Sequence, residues 1–315
     1  MLQPGSLETG NALAFCTDAA GLPAALFAAH SVAQMSAPNA FDIWICSFEP
    51  LPIPEPLAAT GIRNHTIARQ ADLAHLPDTG IPRSTYLRLH LPQAFGARYD
   101  RIVYLDFDTR CMATDVHRLF GINLGPHAFG AVLDKMQWHH PDEPVLDFRN
   151  HGIECTRYIN SGVLLIDAAV WRTRNLTDKI LDSFDAATHR MFNDQSLINL
   201  ALQGNMAELS PVWNWQLPMQ FPKVKTKTPP KILHFTGRRK PWEMGRHQND
   251  MDRQHIIAYR DFFAEHDLAP SFDIDPSAMR LPSHIRLKRA YKSFMCQRRI
   301  DKLMRRYPDP FQALI

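Results

Sequence analysis

The sequence predicts an α/β fold in which a mainly parallel sheet is flanked by helices and followed by a helical, basic C-terminal extension. Short apolar runs alternate with segments of helical spacing, which is the order of elements that builds a parallel sheet. Those runs are continuously apolar, as in strands buried on both faces. Nine Lys or Arg and one Asp lie between residues 284 and 306, so this segment carries +8 in a chain of net charge +3 and the remaining residues carry −5.

Hydrophobic spacing and residues that begin or end elements predict the individual strands and helices. Pro23 stands near the start of the first helix, where proline is tolerated, and Asp167 is placed to cap a helix that follows a strand. The Pro-rich run 51–56 stops regular structure. The predicted strands are 11–18, 41–48, 101–109, 128–134, 161–167 and 231–237, and the predicted helices are 22–35, 81–95 (one helix or two short ones), 115–122, 167–172, 193–202 and 251–267.

Composition bounds the class of protein. The 315 residues, 45% hydrophobic and 21% charged, are typical of a globular protein. No run approaches the roughly 20 apolar residues that span a bilayer, and the N-terminus does not resemble a secretory signal, so we expect a cytoplasmic protein. Five scattered cysteines without a C-x-x-C pair indicate neither a zinc knuckle nor a disulfide framework. The expected division is a catalytic domain over 1–245, a helix and linker over 246–283, and a basic amphipathic tail over 284–315.

Two carboxylates follow the clearest strand. Asp106 and Asp108 are two residues apart at the end of RIVYLDFDT, and a strand's period of two would point both to the same side. Paired carboxylates repel unless a cation or proton lies between them, and hard oxygen ligands suit Mg²⁺ or Mn²⁺. In an open α/β sheet, ligands bind beyond the carboxyl ends of the strands. A solvated turn is the alternative interpretation of this pair.

A second group of candidates lies in KILHFTGRRKPW at 231–242. The His234 imidazole would complete a coordination sphere that carboxylates leave open, and it favours Mn²⁺ over Mg²⁺. Gly237 would let backbone N–H groups approach a phosphate, and Lys240 would supply a cation for it. The alternative for His234 is a hydrogen-bonded core histidine; the G-x-x-K-P-W that follows favours the ligand.

Five motifs occur in order along the chain. They are Y-x-R-L at 86–89, LDFDT at 105–109, YINSGVLLI at 158–166, NDQSLIN at 193–199 and HFTGRRKPW at 234–242. With these motifs the chain looks like a retaining glycosyltransferase of family 8, the group that includes bacterial lipopolysaccharide galactosyl- and glucosyltransferases and glycogenin. The resemblance covers roughly 11 to 245 and implies a GT-A fold, a UDP-sugar donor and Mn²⁺.

The resemblance assigns the metal and nucleotide end of the site. Asp106, Asp108 and His234 match the metal ligands. Thr17 and Asp18 match the position that holds uracil and ribose, and Phe107 is assigned to nucleotide-sugar binding with them. Asp18 is equally a turn or cap residue, and Ala-Ala-Gly-Leu at 19–22 departs from the family pattern, which often has a second acid or Asn and an aromatic there.

The resemblance also implies a sugar end. Arg88 matches a residue that reaches the donor sugar or diphosphate, Asn160 and Ser161 line the sugar pocket, and Asp134 contacts the sugar. Asp194 would bind sugar hydroxyls, and Gln195 would lie nearest the anomeric carbon. The alternatives are a solvated helix for Arg88, a turn for Asn160, and a helix cap or first-turn acid for Asp194.

The predicted activity is therefore transfer of galactose or glucose from UDP to a glycan, such as lipopolysaccharide or a lipid-linked acceptor. The rivals are a glycogenin-like self-glucosylating enzyme, a metal-dependent nucleotidyltransferase or hydrolase, and a non-catalytic or purely hydrolytic nucleotide-sugar binding protein. Nucleotidyltransferases and hydrolases usually need a second metal or a Gly-rich phosphate loop. The sequence shows neither a second group of metal ligands nor such a loop.

The basic extension carries apolar residues at helical spacing. Leu287, Tyr291, Phe294 and Met295 fit one face, and a basic amphipathic helix is typical of attachment to an anionic membrane surface. This predicts a peripheral protein at the inner face of the cell membrane. Nucleic acid is the rival partner, but no nucleic-acid-binding motif accompanies the tail, so none is expected. A solvated helix packed on the body is the remaining alternative.

Overall fold

The computed structural model describes residues 10–37, 40–68, 73–74, 76, 82–184, 193–218, 221, 223–237, 240–243, 252–269 and 283–315. The predicted linker at 270–282 lies outside these residues, as do parts of the predicted helices at 81–95 and 251–267. The strands are β1 (Asn11–Cys16), β2 (Asp42–Ser47), β3 (Ile62–Thr66), β4 (Arg101–Leu105), β5 (Thr109–Cys111), β6 (Phe129–Leu133), β7 (Ile159–Asp167), β8 (Ala207–Glu208) and β9 (Ile232–His234).

Short helices connect most of the strands. Segments 83–90, 96–98, 116–121 and 211–213 are 3₁₀-helices. The α-helices are α1 (Leu22–Met35), α2 (Glu55–Ala58), α3 (Leu91–Ala94), α4 (Lys135–His139), α5 (Leu146–Asn150), α6 (Ala168–Thr173), α7 (Leu176–Leu181), α8 (Asn193–Leu202), α9 (Arg253–Glu265) and α10 (Ser283–Met304).

Seven strands form the main sheet in the order β3-β2-β1-β4-β7-β6-β8. β1 pairs in parallel with β2 and β4, β2 with β3, and β6 with β8, whereas β7 runs antiparallel to β4 and β6. The predicted mainly parallel sheet flanked by helices is confirmed. Because β7 is reversed, its first residues lie at the same edge of the sheet as the carboxyl ends of β1, β4 and β6.

A separate two-stranded sheet completes this edge. β5 pairs antiparallel with β9, with Thr109 opposite His234. The strand predicted over 101–109 is interrupted, since β4 ends at Leu105 and a turn closed by the Thr109 hydroxyl on the Asp106 carbonyl (2.7 Å) precedes β5. Asp106 and Asp108 therefore lie in that turn, and strand periodicity is not the reason why their carboxylates come together.

The C-terminal extension is one helix with two different halves. Cys296, Ile300 and Leu303 are buried in the second half, whereas Leu287 and Tyr291 in the first half are 75% and 66% exposed. The residues beyond the helix pack on the body: Tyr307 donates a hydrogen bond to Glu208, the Trp213 indole donates to the Pro310 carbonyl (2.7 Å), and Leu314 forms a bridge with Glu208. Within the described residues, no helix is long and apolar enough to cross a membrane.

Candidate active site

Three predicted ligands converge at the edge of the sheet. One ligand atom from each of Asp106, Asp108 and His234 lies within 4.8 Å of the other two. His234 Nε2 is 3.1 Å from Asp108 Oδ1 and 3.5 Å from Asp106 Oδ2. The turn after β4 supplies the carboxylates, and the pairing of β5 with β9 brings up the imidazole. Two carboxylates and one imidazole are a donor set that suits a divalent metal ion.

Buried amides orient the His234 ring. Nδ1 lies 2.9 Å from Asn214 Oδ1, and Asn214 Nδ2 donates to Asn160 Oδ1 at 2.8 Å. Since an amide oxygen only accepts, Nδ1 carries a proton, and Nε2 is the nitrogen that faces the two aspartates. Metal-binding histidines are held in this way by a group beyond the metal. The sequence motifs do not identify Asn214, which is 20 residues from His234.

Because Gly162 has no side chain, there is room beside it for Asp106 and His234. A Cβ on this residue would lie 2.2 Å from His234 Cε1 and 2.7 Å from Asp106 Oδ2. Its carbonyl accepts a hydrogen bond from the Asp106 amide at 2.8 Å. Gly162 stands in the YINSGVLLI motif, but the sequence alone does not show that other side chains need the space at this position.

Arg88 is buried between two acids. Nη2 pairs with Asp106 Oδ1 at 2.9 Å and Nη1 with Asp194 Oδ2 at 3.2 Å. Burial lowers the pKa of the guanidinium, but the two carboxylates outweigh it and raise the pKa above its ordinary value. The side chain also donates to Thr85 O (2.7 Å) and Ser161 O (2.9 Å). The solvated-helix alternative for Arg88 is therefore wrong.

Tyr104 supports the same pair. Its hydroxyl donates to Asp106 Oδ1 at 2.5 Å, and its ring lies 4.3 Å from the Arg88 guanidinium carbon. Asp106 Oδ1 thus accepts from two fixed donors while Oδ2 faces His234. Tyr104 is not among the predicted site residues, although it lies on the strand that precedes Asp106.

The predicted sugar-binding residues form one hydrogen-bonded cluster. Gln195 Oε1 accepts from Asn160 Nδ2 (3.0 Å) and from the Ser161 amide (3.2 Å), while Gln195 Nε2 donates to Asp134 Oδ2 (3.2 Å). Ser161 Oγ donates to Asp194 Oδ2 at 3.0 Å. Burial raises the pKa of Asp194, and Arg88 opposes the rise. Four separate elements meet here: the ends of β6 and β7, the helix α8, and the 3₁₀-helix that carries Arg88.

Lys240 and Gly237 flank the triad. The Lys240 ammonium contacts Asp108 Oδ2 and donates to the Phe235 carbonyl at 3.0 Å. Burial opposes ionisation of Asp108, but Lys240 and His234 hold its pKa well below its ordinary value. Gly237 has φ +96°, which only glycine adopts readily, so the bend at this residue depends on it.

Thr17, Asp18 and Phe107 meet around Gly21. A Cβ built there would lie 2.3 Å from Thr17 Oγ1, 3.5 Å from Phe107 and 3.6 Å from Asp18 Oδ1. Asp18 Oδ1 accepts from the Gly21 amide at 2.9 Å, so this oxygen has the turn-forming role. The Phe107 ring lies 6.4 Å from the ring of Trp242, which belongs to the HFTGRRKPW motif but is not among the predicted site residues.

Lys135 is a further cation at the site, and the motifs did not indicate it. Its ammonium donates to Thr236 Oγ1 at 2.7 Å, and its amide donates to the buried Gln216 Oε1 at 2.9 Å. The charges that act on it come from Asp134, Lys240 and Asp108. Its position directly after Asp134 is the one sequence signal that points to it.

Comparison with known proteins identifies the family. A model of glycosyl transferase family 8 matches residues 12–245. General stress protein A of Bacillus subtilis is 27% identical over 196 residues, which are 57% of this chain and 66% of that protein. The lipopolysaccharide 1,2-glucosyltransferase of Escherichia coli K12 is 29% identical over 180 residues, which are 53% of this chain and 52% of that enzyme.

A solved structure supports the fold. The galactosyltransferase LgtC, in complex with donor and acceptor sugar analogs, matches with a TM-score of 0.59 at 20% identity, over 88% of this chain and 99% of that chain. Likeness at this identity concerns the fold, and it confirms the predicted GT-A type. The matched region spans between half and two thirds of the two curated relatives.

Proposed function

Because the chain belongs to glycosyltransferase family 8, we propose that it transfers galactose or glucose from a UDP-sugar to a glycan, with a divalent metal and with retention of the anomeric configuration. The observation that carries this proposal is the pair of contacts made by Arg88. They join Asp106 of the metal triad to Asp194 of the amide and carboxylate cluster, at 2.9 and 3.2 Å. Candidate groups for a metal-bound diphosphate thus lie beside candidate groups for sugar hydroxyls.

Mn²⁺ is the metal that we propose for Asp106, Asp108 and His234, with Mg²⁺ as the second choice. Three ligand atoms within 4.8 Å, one of them an imidazole nitrogen, favour Mn²⁺. The hydrogen bond from His234 Nδ1 to Asn214 leaves Nε2 free to bind it. When bound, the metal would neutralise the diphosphate and act as a Lewis acid during its departure.

The donor's two ends have different partners in this proposal. Thr17, Asp18 and Phe107 bind the nucleoside, while Gly237 and Lys240 bind the diphosphate. Four hydrogen-bonding residues bind the sugar, and Arg88 holds the acids in place. The hydrogen bonds within the cluster support this assignment, because they fix the direction of each polar group before the sugar arrives. The sugar-binding residues are Asp134, Asn160, Ser161 and Asp194.

The hydrogen bonds of the Gln195 side chain support a front-face displacement. Its Oε1 already accepts hydrogen bonds from Asn160 and from the Ser161 amide, and an amide oxygen is a poor nucleophile compared with a carboxylate. The bond from the anomeric carbon to UDP breaks, and the acceptor oxygen forms its bond on the same face. The acceptor's proton passes to the departing phosphate oxygen, and Lys240 stabilises the charge that develops there.

The test is a donor screen with UDP-galactose and UDP-glucose in Mn²⁺, in Mg²⁺ and with chelator. We expect metal-dependent transfer or hydrolysis of one donor. Gln195→Ala should slow transfer by about 100-fold through loss of positioning and leave Mn²⁺ binding unchanged, and Gln34→Ala on an exposed part of α1 is the control. A covalent Gln195–sugar adduct trapped for mass spectrometry would exclude front-face displacement.

The same screen separates the alternative functions. Binding of a UDP-sugar without turnover indicates a non-catalytic binding protein, and turnover to free hexose alone indicates a hydrolase. Incorporation of hexose into the protein itself, detected as a mass increase on a tyrosine, indicates a glycogenin-like enzyme. Release of pyrophosphate indicates a nucleotidyltransferase.

We further propose that the acceptor is lipopolysaccharide or another cell-surface glycan at the inner face of the cell membrane, to which α10 attaches. Leu287 and Tyr291 in the first half of the helix and Phe294 just beyond it are 63% to 75% exposed, beside Lys and Arg residues that anionic headgroups attract by about 1 kcal/mol each. The proposed functional division keeps 1–245 as the transferase domain and 284–315 as the attachment segment.

A further inference from the structure

The C-terminal residues lie against the outermost strand of the main sheet. Leu314 exchanges two backbone hydrogen bonds with Glu208 of β8, at 2.8 and 3.0 Å, and Tyr307 donates a hydrogen bond to the Glu208 carboxylate. We call residues 307–314 the C-terminal clamp. The clamp lies outside the region 12–245 that the family model matches, so membership of the family assigns no role to it.

The clamp fixes the side chain of Trp213, which is fully buried. The indole Nε1 donates to the Pro310 carbonyl at 2.7 Å, and the indole ring lies edge-on to the Phe311 ring with the two centroids 5.8 Å apart. The Lys231 ammonium lies 5.4 Å from the Trp213 ring and 4.9 Å from the Phe311 ring. An indole that is held at its N–H and also packed against a second ring has little freedom to change its rotamer.

Trp213 directly precedes Asn214, and the chain at the start of β9 holds the backbone around both. Hydrogen bonds of 2.8 and 2.9 Å join the segment 212–215 to residues 231 and 232. The segment is thus fixed along its backbone by these bonds and by the clamp through one large side chain. The Trp213 and Asn214 side chains are both fully buried, and a close-packed interior transmits a shift of one side chain to its neighbours. We therefore expect the orientation of the Asn214 amide to depend on the clamp.

We propose that Trp213 is a positioning residue of the metal site, and that the C-terminal clamp acts through it and Asn214 on His234. The Asn214 amide accepts from His234 Nδ1 at 2.9 Å and donates to Asn160 Oδ1 at 2.8 Å. A displacement of this amide by about 0.5 Å disturbs a metal ligand and the sugar cluster together. The inference rests on the proposed function, and it gives residues 307–314, within the proposed attachment segment, a part in the site.

The test compares Phe311→Ala and Trp213→Phe with the matched control Trp44→Phe. Trp44 is 2% exposed, donates its indole N–H to the Tyr99 hydroxyl at 2.9 Å and lies on β2, which carries no group assigned to the site. We expect Phe311→Ala and Trp213→Phe each to weaken Mn²⁺ affinity by about 3- to 10-fold in isothermal titration, which is less than a direct change of Asn214 causes. The control should bind Mn²⁺ as the wild type does, although the midpoint of thermal unfolding should fall in all three variants.

A double-mutant cycle separates positioning from a general loss of stability. In the Asn214→Leu background, Phe311→Ala should cause no further loss of Mn²⁺ affinity, because the amide through which the clamp acts is gone. Equal losses in the presence and absence of the Asn214 amide would overturn the inference. An undiminished Mn²⁺ affinity of folded Phe311→Ala protein would overturn it as well.

Exchange of the His234 Nδ1 proton with solvent, measured by NMR, is a second readout that needs no metal. This proton should exchange at least about tenfold faster in Phe311→Ala than in the wild type and in Trp44→Phe, since its hydrogen bond to Asn214 is held less firmly. Unchanged exchange would overturn the inference. A wild-type chain that binds no Mn²⁺ would contradict the proposed metal dependence, whereas the exchange rates would still decide whether the clamp positions His234.

Discussion

At the scale of single residues, Asn214 decides which nitrogen of His234 faces the aspartates. Replacing it with Leu removes the acceptor for the Nδ1 proton, so the ring is free to turn and its tautomer is no longer fixed. We expect Asn214→Leu to weaken Mn²⁺ affinity by about 10- to 100-fold. Isothermal titration with Mn²⁺ measures this change.

Asn214→Asp is the matched variant, because it keeps an acceptor oxygen for the Nδ1 proton, although it loses the donation to Asn160 and adds a buried negative charge. It should bind Mn²⁺ more tightly than Asn214→Leu. Equal affinities of the wild-type and Leu proteins would show that Asn214 does not orient the ligand.

Gly162 provides a second test of the triad at this scale. An added methyl group would collide with His234 Cε1 at 2.2 Å and with Asp106 Oδ2 at 2.7 Å, and side chains crowded in this way move off their preferred rotamers at a cost of about 1–3 kcal/mol. We expect Gly162→Ala to remove most Mn²⁺ affinity while the chain stays folded.

Gly121→Ala is the control for that substitution, since a Cβ there meets no atom within 4 Å. Circular dichroism and the midpoint of thermal unfolding check the fold of both variants. Undiminished metal binding by folded Gly162→Ala protein would argue against the triad as the metal site.

At the scale of elements, α9 is coupled to the sheet through a buried histidine. His255 packs against the Phe235 ring at 5.2 Å and lies 3.2 Å from Arg110 Nη1. Burial, with Arg110 as the second cause, lowers its pKa from 6.5 to about 4. Below pH 6.5 the unfolded chain binds a proton that the folded chain does not bind, so acidification lowers the free energy of unfolding.

We expect this loss to approach about 3 kcal/mol between pH 6.5 and pH 4. Urea unfolding at several pH values measures it, and His255→Gln should make the profile less steep over this range, since His30, His65 and His139 also have lowered pKa values. His117→Gln, at an exposed position, is the control and should follow the wild type. A wild-type profile that is already flat would contradict the role of His255.

Local signals predicted individual elements better than their pairing. The bounds of α1 and α8 agree with the sequence, and Asp167 caps α6 by accepting from the Val170 amide at 3.0 Å. Each depends on neighbouring residues alone. The reversed direction of β7 depends on contacts between distant segments, which hydrophobic spacing does not encode.

The residues of the candidate site likewise divide into those that local sequence motifs predict and those whose role depends on the fold. Asp106, Asp108 and His234 were predicted from their motifs, but they meet because β5 pairs with β9. Tyr104, Gly162 and other groups that support them were missed, because their roles exist only after folding. Residues that a ligand would touch belong to recognisable sequence motifs, whereas most of the residues that hold them in position do not.

At the scale of the whole molecule, the C-terminal extension is bound to the body at its far end. Tyr307 and Arg306 contact the buried carboxylate of Glu208, the latter at 3.0 Å. Removal of the chain after about residue 275 would therefore also remove buried residues of α10 and expose the surface that they cover. A truncated chain would confuse loss of attachment with loss of stability.

Substitutions on the exposed half of α10 give a cleaner prediction. Leu287→Ser with Phe294→Ser removes two side chains that are 75% and 63% exposed, so stability should change by no more than about 0.5 kcal/mol. Burial of these side chains at the lipid surface is worth about 1.5–3 kcal/mol each. We expect the double variant to lose at least about tenfold in binding to vesicles that contain phosphatidylglycerol, as measured by co-sedimentation.

The control is Met112→Ser, which removes an apolar side chain that is 39% exposed and does not belong to α10. Lys288→Gln with Lys292→Gln tests the charges of the same half, and its effect should shrink as salt rises, because screening weakens attraction to anionic headgroups. Wild-type protein that stays in the supernatant, or equal sedimentation of all variants, would leave α10 as a helix that only packs on the body. Transfer to a water-soluble acceptor should be the same in every variant, since the exposed half of α10 holds none of the groups assigned to the donor.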